Sequence, residues 1–406
     1  MLDDSLLDDP AALQRADRDH ALLALAGAGA RIRTALRLAE AAGLAALRPD
    51  GRPRGVLVAG HGSALIAGET LGALTGGAVL VQSLPPVDAV PAGGSEPFSA
   101  GLRWQLPGWA GPLDLLVLAS ADGNETGLIT LAEQAYARGC AIAVIAPVER
   151  PLSEAALQVR ALPLPFVPAA VEEPTEWGAE PDLPAEDPAA LWAFLTPLLA
   201  LAGRIGVLAP VEAALEAAAD LLDTLAVRHR PDAAAYLNPA KSLAGQLAGT
   251  VPLLWSEGPV AAVVATRFAA MLADRAGRPA VTGQLPQALT AQHGMLTGQL
   301  GAGADPGDFF RDRVEEPDPL TVQVLLLRHT PREPDPAAGP ASPQAAPEPA
   351  PATHSGRRAQ RLAAAHEVRL TELAAIRQEP LEALAELLAL TDFAAVYLGL
   401  AAVAGS

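Results

Sequence analysis

Two short loops hold most of the side chains in this chain that could do chemistry. The first is Gly60-His61-Gly62-Ser63, within VLVAGHGSALIAGETL at 56–71. Its glycines allow close backbone approach, and Ser63 can donate a hydroxyl proton. A helix expected from about Leu65 adds roughly half a positive charge at its start. The second is Ser120-Ala121-Asp122-Gly123-Asn124-Glu125-Thr126, within LLVLASADGNETGLITL at 115–131. An apolar strand, a small polar loop and an amphipathic helix present backbone N–H groups to a phosphate. Ser120, Asn124 and Thr126 offer further polar contacts to a sugar phosphate. Asp122 and Glu125 oppose that chemistry. Two unit charges 4 Å apart interact by about 1 kcal/mol in water and about 4 kcal/mol at an effective dielectric of 20. A dianion facing both carboxylates therefore loses orders of magnitude in affinity. The other role open to these acids is capping the helix start.

Further along, Tyr236-Leu237-Asn238-Pro239-Ala240-Lys241 reads as a turn entering a helix, with Lys241 in its first turn. Lys241 is the only lysine of the chain. It either supplies a compact point charge that arginine cannot, or has no special role. The stretch LPQALTAQHGMLTG at 285–298 holds Gln292 and His293 but no acid. There is no HExxH, no paired CxxC and no nucleophile elbow, so neither a metal site nor a cofactor is expected.

Alternating elements position these loops. Helix is expected over 10–48, then strands at Gly55–Ala59, Ala78–Gln82, Leu115–Leu118 and Ala141–Ile145, with a helix at 128–138 before the last. That rhythm implies a parallel sheet covered on both faces. Residues 166–188, largely Pro-rich and acidic, read as a linker. A helix follows at 189–202, then a less regular α/β pattern with strand or strand–helix junctions at Pro252–Trp255 and Val260–Val264. A helix over Thr266–Ala276 and a strand at Val322–Leu327 complete it. Residues 331–356 are Pro/Ala-rich and expected to be disordered. Two helices, at about 357–376 and 380–402, close the chain.

Half of the 406 residues are hydrophobic but only 4% are aromatic, so the core must be built from Ala, Leu and Val. A net charge of −18 argues against nucleic acid and anionic membranes as partners. One cysteine, Cys140, fits a reducing cytoplasm, and the start MLDDSLLDDP lacks the positive region of a signal peptide. The apolar tail at 387–404 carries Asp392, so a buried helix is expected there rather than a membrane span.

With these segments in order, the chain resembles the bacterial and archaeal bifunctional phosphoglucose/phosphomannose isomerases, built from two sugar isomerase (SIS) domains. It is most similar to their actinobacterial TobH-like relatives. Gly60 to Glu69 resembles the family's GMGGSAIAGD loop, and Ser120 to Leu128 its SYSGNTEET loop. Asn238-Pro239-Ala240-Lys241 is similar to its NPAK turn, and Val251-Pro252 falls in its RVPV strand. Arg267, Asp274 and Ala276 fall where the family reads R-W-K…N-E-N-A. Leu390 to Leu398 looks like its closing LGDFVSYYL helix. The resemblance implies two three-layer αβα domains with parallel sheets, at 1–165 and 189–330, plus C-terminal helices at 357–406. It also implies a homodimer acting on a sugar phosphate, with Gly60, Gly62, Ser63, Ser120, Gly123, Asn124, Thr126, Lys241 and Arg267 as the ligand-binding set.

The departures from the family fall on its chemistry. Ser63 replaces the second glycine of the first loop, and Ala64 its serine. Ser-Gly-Asn-Thr becomes Asp122-Gly123-Asn124-Glu125. The proton-transferring glutamate of the family's NHNEIVG segment, aligned on Gly298, becomes Met295, which cannot take a proton. His293 and His329 are the candidates for its ring-opening histidine. Aldose–ketose isomerisation needs a general base beside the carbonyl, a group that opens the ring and a cradle for the phosphate. The expectation is an isomerase-type protein with efficient catalysis weakened or lost. The alternative is a non-catalytic SIS protein that binds a sugar derivative or a protein partner.

Overall fold

Apolar runs flanked by helices become two parallel sheets in the computed structural model, which describes residues 4–49, 51–91, 97–168, 186–298, 300, 320–330 and 350–403. Most of the expected 166–188 linker and of the 331–356 segment lies outside the described residues. The chain divides into two units. One comprises residues 19–223, the other residues 1–18 with 224–406.

The 19–223 unit carries strands β1 (Gly55–Ala59), β2 (Leu80–Leu84), β3 (Asp88–Ala89), β4 (Leu102–Arg103), β5 (Asp114–Ala119), β6 (Ala141–Ala146) and β7 (Leu162–Pro165). Five of them form a parallel sheet in the order β2-β1-β5-β6-β7, while β3 and β4 pair as a small antiparallel ribbon. Because side chains alternate along a strand, β1 and β5 feed both faces. Leu57, Ala59, Leu116 and Leu118 join Leu128, Leu131 and Ala135 of the helix Thr126–Ala137 in one core. Val58 faces the other way, against Gly68 of the helix Ser63–Thr75. A Cβ at Gly68 would lie 2.9 Å from Val58, so the absent side chain lets helix and sheet meet. The helix Ala190–Arg204 packs on Ser63–Thr75 in this same unit. Sequence reading placed residues 189–223 with the second domain; here they group with the first. The reason is physical: Ala190–Arg204 is apolar on nearly every face and is buried over most of its length.

The second unit carries β8 (Thr250–Glu257), β9 (Val281–Gln284), β10 (Thr321–Arg328) and β11 (Leu370–Ala374), all parallel, in the order β11-β10-β8-β9. Leu253, Trp255, Val324 and Leu326 pack with Leu296, Ala359 and Leu362. The Trp255 indole N–H donates to Gln292 Oε1 at 2.7 Å, and the Gln292 amide donates to Thr282 O, which ties the buried ring to edge strand β9. The helix Pro380–Val403 is long and apolar enough to cross a membrane, yet 83% of its most apolar window is buried within the unit. It lies so close to the helix Pro259–Ala276 that a Cβ on Gly399 would sit 2.0 Å from Arg275 O.

Candidate functional site

Both loops singled out in the sequence follow parallel strands of the 19–223 unit, at the sheet's C-terminal edge, where open α/β sheets bind ligands. The strand β1 ends at Ala59, and Gly60 presses against the end of β5: a Cβ there would meet Ala119 O at 2.6 Å. Gly62 then turns with φ +55, and the helix Ser63–Thr75 begins. The Ser63 N–H points out of that turn. It donates to Glu186 Oε1 at 2.9 Å and Oε2 at 3.1 Å, and the Ser63 hydroxyl donates to Oε2 at 2.9 Å. A carboxylate from 123 residues along the chain thus occupies the helix start, where the partial positive charge favours an anion.

The second loop is equally self-contained. The Ser120 hydroxyl donates to Glu125 Oε2 at 2.5 Å and accepts the Gly123 N–H at 2.6 Å. The Asn124 N–H donates to Asp122 Oδ1 at 2.9 Å, a local turn contact, and the Ser99 hydroxyl donates to Asp122 Oδ2. The Thr126 hydroxyl donates to Ala100 O. Glu125 stands at the N-cap position of the helix Thr126–Ala137 but makes no capping bond. Its fully buried carboxylate accepts from Ser120 on one oxygen and from His61 Nε2 at 3.1 Å on the other. The acid read as a possible helix cap is therefore an internal acceptor.

His61 joins the two loops. Since a carboxylate only accepts, Nε2 carries the proton. Burial alone would lower the imidazole pKa. The Glu125 bond and charge, with Glu186 and Asp122 nearby, outweigh burial and raise it above its ordinary value. Its side chain remains 36% exposed, so the ring edge meets solvent.

In the other unit the expected ligand contacts serve structure. Asn238 caps the helix Pro239–Leu247 through bonds from the Ala240 and Lys241 N–H groups. The Lys241 ammonium donates to Leu7 O, Pro231 O and Ala233 O at 2.6, 2.6 and 2.8 Å, with the Tyr397 ring 5.5 Å away. Three N–H donors meet three carbonyls, which leaves none for a ligand. Arg267 is buried beside Asp392 at 3.4 Å, an ion pair between helices Pro259–Ala276 and Pro380–Val403. Met295 is half-buried and packs on the core. His293 is exposed, with its ring edge-on to His366 at 5.3 Å. His329 is buried, and Nε2 donates to Gln378 O at 3.2 Å. That fixes the tautomer and leaves buried Nδ1 without a partner among the described residues.

Sequence reasoning missed two features. Glu186 sits at the end of a stretch read as linker, and no local pattern marks it. Arg328, at the end of β10, donates to Glu257 Oε2 at 2.7 Å, pairs with Glu372 and donates to Ala350 O. Among the described residues, the Ser63 turn and Arg328 are each engaged by carboxylates of the chain itself.

The fold is that of SIS-type phosphosugar isomerases. Residues 237–339, about a quarter of the chain, match the bacterial phosphoglucose isomerase C-terminal SIS domain. Among solved structures, a hypothetical protein from Thermus thermophilus superposes with a TM-score of 0.59 at 14% identity, covering 98% of this chain and 89% of that one. A protein provisionally described as a phosphosugar isomerase, from Clostridium difficile, superposes at 0.57 with 10% identity over 94% and 93%. One provisionally described as a sugar binding protein, from Salmonella typhimurium, gives 0.55 at 14% identity over 93% and 99%. At these identities the likeness is one of fold. The search of curated proteins found no match to the chain.

Proposed function

We propose that this is a phosphoglucose/phosphomannose isomerase-like SIS protein, of the TobH-like type, that binds a sugar derivative and has weakened or lost efficient aldose–ketose isomerisation. One observation carries the reading: the donors expected to hold a phosphate at Ser63 and Ser120 are engaged by Glu186 and Glu125. Met295, half-buried against the core, supplies no base. The loops favour a neutral or amine-bearing sugar, whose ammonium gains from Asp122, Glu125 and Glu186 where a dianion is repelled. Saturation-transfer NMR with glucosamine and with fructose 6-phosphate tests this. A stronger response from glucosamine is expected. A stronger response from fructose 6-phosphate would overturn it.

A second reading rests on the His61–Glu125 pair. An imidazole oriented by a buried carboxylate is an acid–base unit. In a surviving isomerase, His61 Nδ1 would take the proton from the carbon beside the ketose carbonyl and return it to the former carbonyl carbon of the enediolate, while the hydroxyl proton of the first carbon passes to the former carbonyl oxygen. Turnover abolished by His61→Asn, with binding retained, would favour this reading.

The same family reading carries a homodimer and a cytoplasmic location, and a chain with one cysteine suits a reducing compartment.

A further inference from the structure

We propose that the exposed face of the helix His354–Ala365, with Arg369 in the loop after it, docks an acidic peptide segment in extended conformation. The inference goes beyond the sugar reading and concerns a different surface, in the unit that carries β8 to β11. It starts from a charge anomaly. The whole chain sets 28 lysines and arginines against 46 acids, a net charge of −18. Residues 354–369 run the other way, with Arg357, Arg358, Arg361 and Arg369 against the lone acid Glu367.

The fold turns that stretch into a one-sided surface. Gly356, Ala359, Leu362 and Ala363 are buried, and Ala359 and Leu362 pack with Trp255 and Leu326. All four arginines are exposed. Arg357 and Arg361 stand four apart, and Arg358 and Arg361 three apart, so their like charges share one side of the helix and destabilise it. Among the described residues none of the four forms an ion pair, and Arg357 donates only to Ala352 O at 2.6 Å. Glu372, on the neighbouring strand β11, is taken by Arg328 and by the Gln360 amide. Elsewhere the chain does balance charge between helices. Arg33 of the helix Ala28–Ala41 meets Glu216, Asp220 and Asp223 of the helix Glu212–Arg228.

Complementary charge and spacing select the occupant. Guanidinium groups pair with carboxylates through two parallel hydrogen bonds. Residues three or four apart on a helix have Cβ atoms roughly 5–6 Å apart. Alternate side chains of an extended peptide are about 6.7 Å apart and point the same way. Alternate carboxylates of such a peptide therefore reach successive arginines. Nucleic acid fits less well. Residues 354–369 hold no Phe, Trp or Tyr on which a base could stack, and a net charge of −18 repels a long polyanion.

The test is fluorescence anisotropy of the full chain with a labelled octapeptide of alternating glutamate and alanine, at low salt. Saturable binding is expected, weakened roughly tenfold in Arg358→Gln/Arg361→Gln. Glutamine is nearly as good a helix former as arginine, so this variant keeps its fold. Arg37→Gln/Arg160→Gln removes two exposed arginines of the other unit, the same change in net charge, and should leave the affinity unchanged. A peptide of the same composition with its glutamates in one block should bind more weakly than the alternating one. No saturable binding by the parent would overturn the inference, as would an equal loss in both double variants or equal affinity for the two peptides. Tighter binding of an oligouridylate of matching charge would also overturn it, in favour of nucleic acid.

Discussion

Glu125 and His61 show how one substitution type reassigns a loop. A glutamate at a helix start ordinarily lends its carboxylate to free N–H groups; here the side chain turns inward to Ser120 and His61. Because His61 is raised in the folded protein, its contribution to stability is fully present below about pH 6.5 and is lost as pH rises through the folded value. A proton NMR titration of the His61 ring should give a midpoint above 6.5, and Glu125→Gln should lower it; an unchanged midpoint would break the pairing argument. His229 behaves oppositely. Burial lowers its pKa to about 4, against a weaker raising contribution from Asn238. The unfolded chain then binds a proton that the folded chain refuses, so stability present above about pH 6.5 is lost as pH falls toward 4. That gap is worth roughly 3 kcal/mol. Urea unfolding of His229→Asn should show a flatter acid limb than the parent. Lys241 belongs to the same scale. Its lone occurrence in the sequence left open a functional charge or no special role, and its three carbonyl bonds give it a structural one. Lys241→Met should cost about 3 kcal/mol or more through unsatisfied carbonyls, read as a lower unfolding midpoint, with glucosamine binding per folded molecule unchanged.

Individual elements were legible where a single face or a continuous apolar run defines them. β1 falls at Gly55–Ala59 as read, and β5, β6 and β10 extend the expected cores by a residue or two at their ends. The turn of Asn238 into its helix is also as read, because the cap and N1 proline are local signals. The leading helix expected over 10–48 is instead interrupted, as Pro10–Ala16, Ala21–Ala26 and Ala28–Ala41, with His20 at φ 52 between the first two. Helical spacing persists across such breaks, so periodicity does not reveal them. The helix expected over about 357–376 ends at Ala365, and β11 follows at Leu370–Ala374. It is a short edge strand whose Glu372 pairs with Arg328, so it lacks the apolar alternation of a half-buried strand. The turn at Gly62 gives the prediction for this scale. Gly62→Ala forces a Cβ into φ +55 and against Glu186, and should lower stability by about 1–3 kcal/mol in a thermal melt. A melt equal to the parent's would show that the turn relaxes freely.

For the whole molecule, the sequence pointed to an SIS-type fold because the order of several weak motifs is more specific than any one of them. It placed both loops at strand ends and recognised the charge conflict within them. It could not reveal what resolves that conflict. Glu186 reaches Ser63 across 123 residues of chain, a pairing no window contains. The division at 223 was hidden for a related reason: an apolar helix such as Ala190–Arg204 does not state which sheet it covers. At this scale the proposed homodimer predicts a light-scattering mass near twice the 41.5 kDa of one chain; a mass near one chain would remove it.

The most direct measurement is NMR of the purified protein with fructose 6-phosphate, followed for appearance of glucose 6-phosphate and mannose 6-phosphate. On the proposed reading, with the cradle engaged by Glu186 and Glu125 and Met295 at the position the family resemblance gives to the base, no turnover above the uncatalysed rate is expected from folded protein. Sustained conversion that His61→Asn or Asn124→Ala abolishes would contradict the account and establish a working isomerase.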